Sequence, residues 1–165
     1  MDILETNLNR ELLLEFFLSF ARFEYALKAT GFFVRHPENA LSPPKAEPDW
    51  PSFAASLRNT FDPRKNAAIE TAWSYLSESP PNRQVIVNGA LAWETPLRGT
   101  DSEVEYVLRV VRSVRNNLFH GGKHSIEVHE TTERTETLLR SCLAVLNECL
   151  ALSPTQQVAY LEAAL

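Results

Sequence analysis

Val104, Val107, Leu108, Val110, Val111, Val114 and Leu118 recur at three- and four-residue intervals, and Gly121-Gly122 closes the run. That spacing predicts an amphipathic helix over residues 102–120, capped by Thr100 or Asp101. One face of such a helix must be buried against other elements, so the chain needs a core built largely from helices. With about 100° per residue, the apolar side chains and Phe119 fall in one sector. Glu105, Arg109, Arg112, Ser113, Asn116 and His120 fall on the opposite side. Arg115 breaks the pattern, because the wheel sets it at about 20°, in the middle of the apolar sector. A guanidinium there is unfavourable unless it is paired or used.

The rest of the chain supports a helical reading. Residues 5–30 contain no proline or glycine and carry leucines and phenylalanines at helical spacing, and Gly31 is a natural stop. Five of the ten prolines fall in residues 37–51, which reads as a loop. Asp49 can cap a short helix over 51–60, and Asp62-Pro63 can open another that runs to residue 77. Asn88-Gly89 separates Gln84-Val-Ile-Val87 from Ala90-Leu-Ala-Trp93, a strong hairpin signal. A helix over 131–152 and a last short one after Ser153-Pro154 complete the chain. The expected fold is all-α: an antiparallel helical bundle with a small β-hairpin insertion before the motif helix, as one domain over residues 1–165.

Charge and cysteine content narrow the function. Of 165 residues, 44% are hydrophobic and the net charge is −5, which suits a globular protein and speaks against broad duplex binding. Residues 98–123 reverse the sign, with five basic side chains (Arg98, Arg109, Arg112, Arg115, Lys123) against three acids. No stretch suits a bilayer span, and Met1-Asp2-Ile3-Leu4-Glu5 does not resemble a secretory leader. Cys142 and Cys149, seven apart on one predicted helix, read as two buried thiols. The expected location is the cytoplasm.

The chemistry concentrates in Arg115-Asn-Asn-Leu-Phe-His120-Gly-Gly-Lys123. A planar cation, amides and an imidazole are what a protein needs to hold a phosphodiester and move a proton on it. Arg112, Asn116 and His120 form one row on the polar face. Arg115 and His120 lie about 140° apart on an ideal helix. They meet only if the helix unwinds at His120 or if two copies of it combine. Glu24 is a second out-of-place charge, on the side of the first helix that bears Leu13, Phe17 and Phe20, opposite the polar stripe of Glu15, Ser19 and Arg22. It can pair with Lys28 or with Arg115. His120, His124 and His129 match no known metal-ligand spacing, so neither a metal nor another cofactor is expected. Trp93 is the aromatic left open for stacking on RNA.

Arg115, Asn116 and His120, on what would be the fourth helix, resemble the signature of the HEPN superfamily. The segment Phe20-Ala-Arg-Phe-Glu24-Tyr-Ala-Leu-Lys28 and the hairpin before the motif helix are similar to a plasmid-borne HEPN subfamily. The resemblance implies a helical bundle that forms a homodimer with its two motifs face to face. It implies a metal-independent endoribonuclease acting on RNA, as a toxin with an antitoxin protein or as a defence component. Arg115, His120 and Asn116 would be the catalytic residues, with Arg112, Lys123 and Glu24 serving substrate binding. One toxin subgroup carries a tyrosine two residues past the histidine. Gly122 stands there in this chain, so that mode of neutralisation is not implied. Two other readings remain open from the residues themselves. One is a non-catalytic RNA- or nucleotide-binding module. The other is a structural scaffold in which Arg115 only pairs with Glu24 and the amides cap a helix end.

Overall fold

In this computed structural model, residues 8–36, 43–119 and 131–163 are described. They form six helices and two antiparallel two-stranded ribbons. In order these are α1 (Arg10–Ala29), β1 (Phe33–His36), β2 (Lys45–Pro48), α2 (Trp50–Ser56), α3 (Ala67–Glu78), β3 (Arg83–Val87), β4 (Ala90–Glu94), α4 (Glu103–Phe119), α5 (Thr132–Ala151) and α6 (Pro154–Glu162). No helix among the described residues is long and apolar enough to cross a membrane.

Capping chemistry sets most boundaries. The Asn9 side chain accepts from the Leu12 amide, so α1 begins at Arg10, later than the expected residue 5. Asp49 caps α2 as expected, but α2 ends at Ser56. The start expected at Asp62-Pro63 is corrected. Asp62 accepts from the amide of Arg64, and its carbonyl accepts from Lys65, closing a local turn. Asn66 then caps α3 through the amide of Ile69, four residues further on. Ser102, rather than Thr100 or Asp101, opens α4. Its amide donates to the Glu105 carboxylate while its hydroxyl faces the amide of Glu105, a reciprocal capping box. Thr131 caps α5 through the Arg134 amide, whereas the Ser153 side chain makes no cap bond to α6.

The proline-rich segment, expected as a loop, contains a strand. Lys45–Pro48 pairs with Phe33–His36 in register from Phe33↔Pro48 to His36↔Lys45. Pro48 is tolerated because it ends a strand in a ribbon that is all edge. The hairpin at Asn88-Gly89 forms as expected, in register from Arg83↔Glu94 to Val87↔Ala90. Both turn residues have positive φ, 53° and 79°, the conformation that Asn-Gly adopts readily in a two-residue hairpin.

Buried side chains of α1, α2, α3, α4 and α5 form one hydrophobic cluster. Phe16, Phe23, Leu27, Phe53, Leu76 and Leu139 sit at its centre. Phe23 stacks on Trp50 at 5.2 Å and meets Phe53 edge-on at 5.4 Å. Truncating a ring so enclosed costs about 3–5 kcal/mol. The thiols of Cys142 and Cys149 are free and buried on the inner face of α5.

Candidate functional site

The motif helix α4 buries Val104, Val107, Leu108, Val110, Val111 and Val114, as its periodicity requires. It runs intact to Phe119, the residue before His120. His120 and Lys123 lie outside the described residues, as do His124 and His129. Arg112 and Asn116 stand on the exposed face.

Arg115 is not enclosed in the core, although its backbone position lies on the apolar side. Its side chain is 34% exposed and reaches to the rim, with the guanidinium over the rings of Phe20 at 5.4 Å and Phe119 at 5.3 Å. Phe119, expected among the buried residues, is 49% exposed. The same holds for the face of α1 that bears Glu24. Phe17 is exposed and Leu13 half-buried, while Phe20 stays in the core, so Glu24 stands where this face passes from the core to solvent. Rim placement relieves the desolvation that a cation would suffer in the core.

Two polar contacts add to these rings in positioning the Arg115 guanidinium. Nη1 donates to Oδ1 of Asn116 at 3.0 Å, and Nη2 lies 3.9 Å from Oε2 of Glu24, the outer edge of an ion pair. Of the two partners open to Glu24, Arg115 is the one found near it, and no Glu24–Lys28 pair occurs among the described residues. Glu24 is instead held by a residue that the sequence did not implicate: the indole N–H of Trp50 donates to its Oε1 at 3.3 Å. Partial burial of the Arg112 guanidinium lowers its pKa, the nearby Glu24 raises it, and Arg115 lowers it. Arginine remains charged under such shifts. Two cations therefore share one carboxylate, and the local charge is positive on an acidic chain.

Arg112 borders two hollows. The smaller, about 160 Å³, lies against Trp50 and contains Asp101 and Glu105, so it does not suit an anion. The larger, about 370 Å³, lies between α4 and the base of the hairpin, where Arg83 and Gln84 face Arg112 and Asn116. No carboxylate lines it. Asn117 holds its two walls together, donating to the carbonyl of Asn82 at 2.7 Å. Arg83 and Gln84 were not recognised as site residues, although the Asn-Gly register puts them at the open end of the hairpin.

Arg115, Asn116, Arg112 and Glu24 thus come together on the outer side of α1 and α4. Among the described residues no three His, Cys, Asp or Glu side chains gather as a metal site. Comparison with protein families, with curated proteins and with solved structures gives no match.

Proposed function

We propose that this chain is a metal-independent endoribonuclease of the HEPN kind, an antiparallel helical bundle that works as a homodimer in the cytoplasm. One observation carries the reading: Arg115 is placed without being consumed. Aromatic faces and Asn116 orient its fork, while Glu24 stays at 3.9 Å. A scaffold arginine would be expected to close a short bidentate pair. This one keeps donors for an incoming oxyanion, and Arg112 adds a second cation beside it.

In this reading the RNA 2′-oxygen attacks the adjacent phosphorus and the bond to the 5′-oxygen breaks. One His120 takes the 2′-hydroxyl proton, and its counterpart from the second chain gives a proton to the leaving oxygen. Arg115 neutralises the charge that develops on the phosphorane, and Asn116 keeps the guanidinium in plane with it. Lys123 and Arg112 hold the flanking phosphates. Glu24 acts through Arg115. The products are a 2′,3′-cyclic phosphate and a 5′-hydroxyl. The exposed apolar side chains Leu14 and Phe17 on α1 and Phe119 on α4 form a surface that a second copy can cover. Such an activity suits a toxin restrained by an antitoxin protein, or a defence component.

The test is cleavage of single-stranded RNA by the purified protein in EDTA. Activity is expected, and His120→Ala and Arg115→Ala are each expected to lower it by at least about 100-fold. RNA bound but never cut would leave the non-catalytic module standing. Full activity in His120→Ala would refute the mechanism.

A further inference from the structure

The larger hollow is built differently from the motif itself. Its α4 wall carries Arg112 and Asn116, and its hairpin wall carries Arg83 and Gln84. Arg83 is already paired with Glu94 across the hairpin, through Nε at 2.9 Å and Nη2 at 2.7 Å. Arg109 is likewise paired with Asp101, at 3.0 and 2.5 Å. Arg112 closes no hydrogen bond or ion pair among the described residues and feels Glu24 only as a nearby charge shared with Arg115, so it is the groove's least committed cation. Asn116 accepts from Arg115 through Oδ1, so its amide N–H donors are not used in that bond. The groove therefore offers one full positive charge and several donors, joined through Asn116 to the arginine that would hold the scissile phosphate.

The hairpin extends that groove. Gln84 is directly opposite Trp93 in the antiparallel register, so the two side chains share a face, and Ile86 and Leu91 continue the same face one pair further on. Ile86 is 78% exposed and Leu91 69%. An isolated two-stranded ribbon gains nothing from presenting such side chains to water. A cation with amides at one end and a flat apolar face at the other match the two halves of a nucleotide: phosphate, and unstacked base. The volume, about 370 Å³, falls in the range of small-ligand sites.

We propose that the groove between β3 and α4 is a nucleotide-binding subsite for single-stranded RNA, in which Arg112 holds a phosphate and the Gln84–Trp93 face of the hairpin receives the adjoining base. The proposal rests on the ribonuclease reading for the identity of its ligand. It adds a strand path, leading from the motif onto the hairpin, and it gives the hairpin a reason to be there.

The probe is a fluorescein-labelled 2′-O-methyl decanucleotide, which has no 2′-hydroxyl and cannot be cleaved, titrated into the full chain and followed by anisotropy. Wild type is expected to bind. Trp93→Ala is expected to weaken binding about tenfold through lost stacking. Arg112→Ala is expected to reduce the slope of log affinity against log salt by about 0.7. Gln84→Glu, at an exposed position remote from the core, is expected to weaken binding further than Gln84→Ala, because it puts a carboxylate in the groove. Should Trp93→Ala fail to fold, as judged by circular dichroism, Gln84→Glu decides. No binding by wild type, or Gln84→Glu within twofold of wild type, overturns the subsite. The ribonuclease reading fails separately. A chain that binds the probe as expected but never cuts unmodified RNA keeps the subsite and loses the activity. A chain that cuts RNA with an unchanged KM in Gln84→Glu keeps the activity and loses the subsite.

Discussion

The carboxylate of Glu24 is anchored by the indole of Trp50, at 3.3 Å, and stands 3.9 Å from the guanidinium of Arg115. The acid on α1 is therefore fixed from the side of α2, and the arginine of α4 is left loosely matched to it. A buried residue, Trp50, sets where the negative charge sits, and Phe20 and Phe119 set where the positive one sits. The electrostatic field at the rim is thus held by the core rings of Trp50 and Phe20 together with the exposed ring of Phe119, while the arginine's donors stay available.

This arrangement separates two substitutions of the same residue. Glu24→Ala leaves the N–H of Trp50, a side chain only 3% exposed, without its acceptor, and is expected to destabilise the fold by about 1–3 kcal/mol. Glu24→Gln keeps an acceptor for Trp50 and removes only the loose ion pair, so its cost should stay below about 1 kcal/mol. Urea denaturation of both variants measures the difference. Equal losses would mean that Trp50 does not depend on this bond.

A second expectation concerns the apolar rim. Leu14 and Phe17 are 57% and 41% exposed, and Phe17 meets Phe119 at 5.3 Å between ring centres. Under the proposed dimer, Phe17→Asp puts a charge into the covered seam. Light scattering should then report one chain where wild type reports two, with the helical circular dichroism signal unchanged and RNA cleavage lost. A dimer that survives the substitution would place the seam elsewhere.

What could be read in advance, and what could not, follows from the range of the forces involved. Period and capping are local, so α4, α5 and the Asn88-Gly89 hairpin were legible to within a few residues, and Cys142 and Cys149 were correctly read as buried thiols. The β1–β2 ribbon was not, because strand pairing is non-local and Pro43, Pro44 and Pro48 mimic a loop. Arg115 was legible as an anomaly on the wheel. Its rescue was not, since that depends on Phe20 from another helix and on a long side chain reaching the rim. The Trp50–Glu24 bond joins residues 26 apart across α1 and α2, and no spacing rule reaches that far.

The two cysteines give a direct check on the packing of α5. Burial pushes both thiols' pKa well above the ordinary cysteine value, and at Cys149 the neighbouring Glu148 adds to the shift. Neither is a thiolate at neutral pH, and neither is accessible. The native protein is expected to leave Ellman's reagent unreacted, and the urea-unfolded protein to release two equivalents. Rapid labelling in native buffer would show that α5 opens locally.

Acid should weaken the start of the motif helix before anything else in α4. Glu105 accepts from the hydroxyl of Ser102 at 2.6 Å, from Arg58 at 2.5 Å and from the amide of Ser102 at 2.8 Å. These bonds, that of the Ser102 hydroxyl foremost, hold its pKa at about 2, down from 4.5. A carboxylate whose pKa is lower in the folded state adds stability above its unfolded value. That contribution is complete above pH 4.5 and is lost as pH falls towards 2. The melting temperature is therefore expected to decline across this window. In Glu105→Gln, which has no proton to gain, the decline should be shallower. Some slope should persist, because Asp49 is held ionised by the hydroxyl and amide of Ser52, and Glu136 by the amide of Asn9. Thermal melts of both proteins at pH 6, 4, 3 and 2 make the comparison, and parallel curves would remove Glu105 from the account of acid sensitivity.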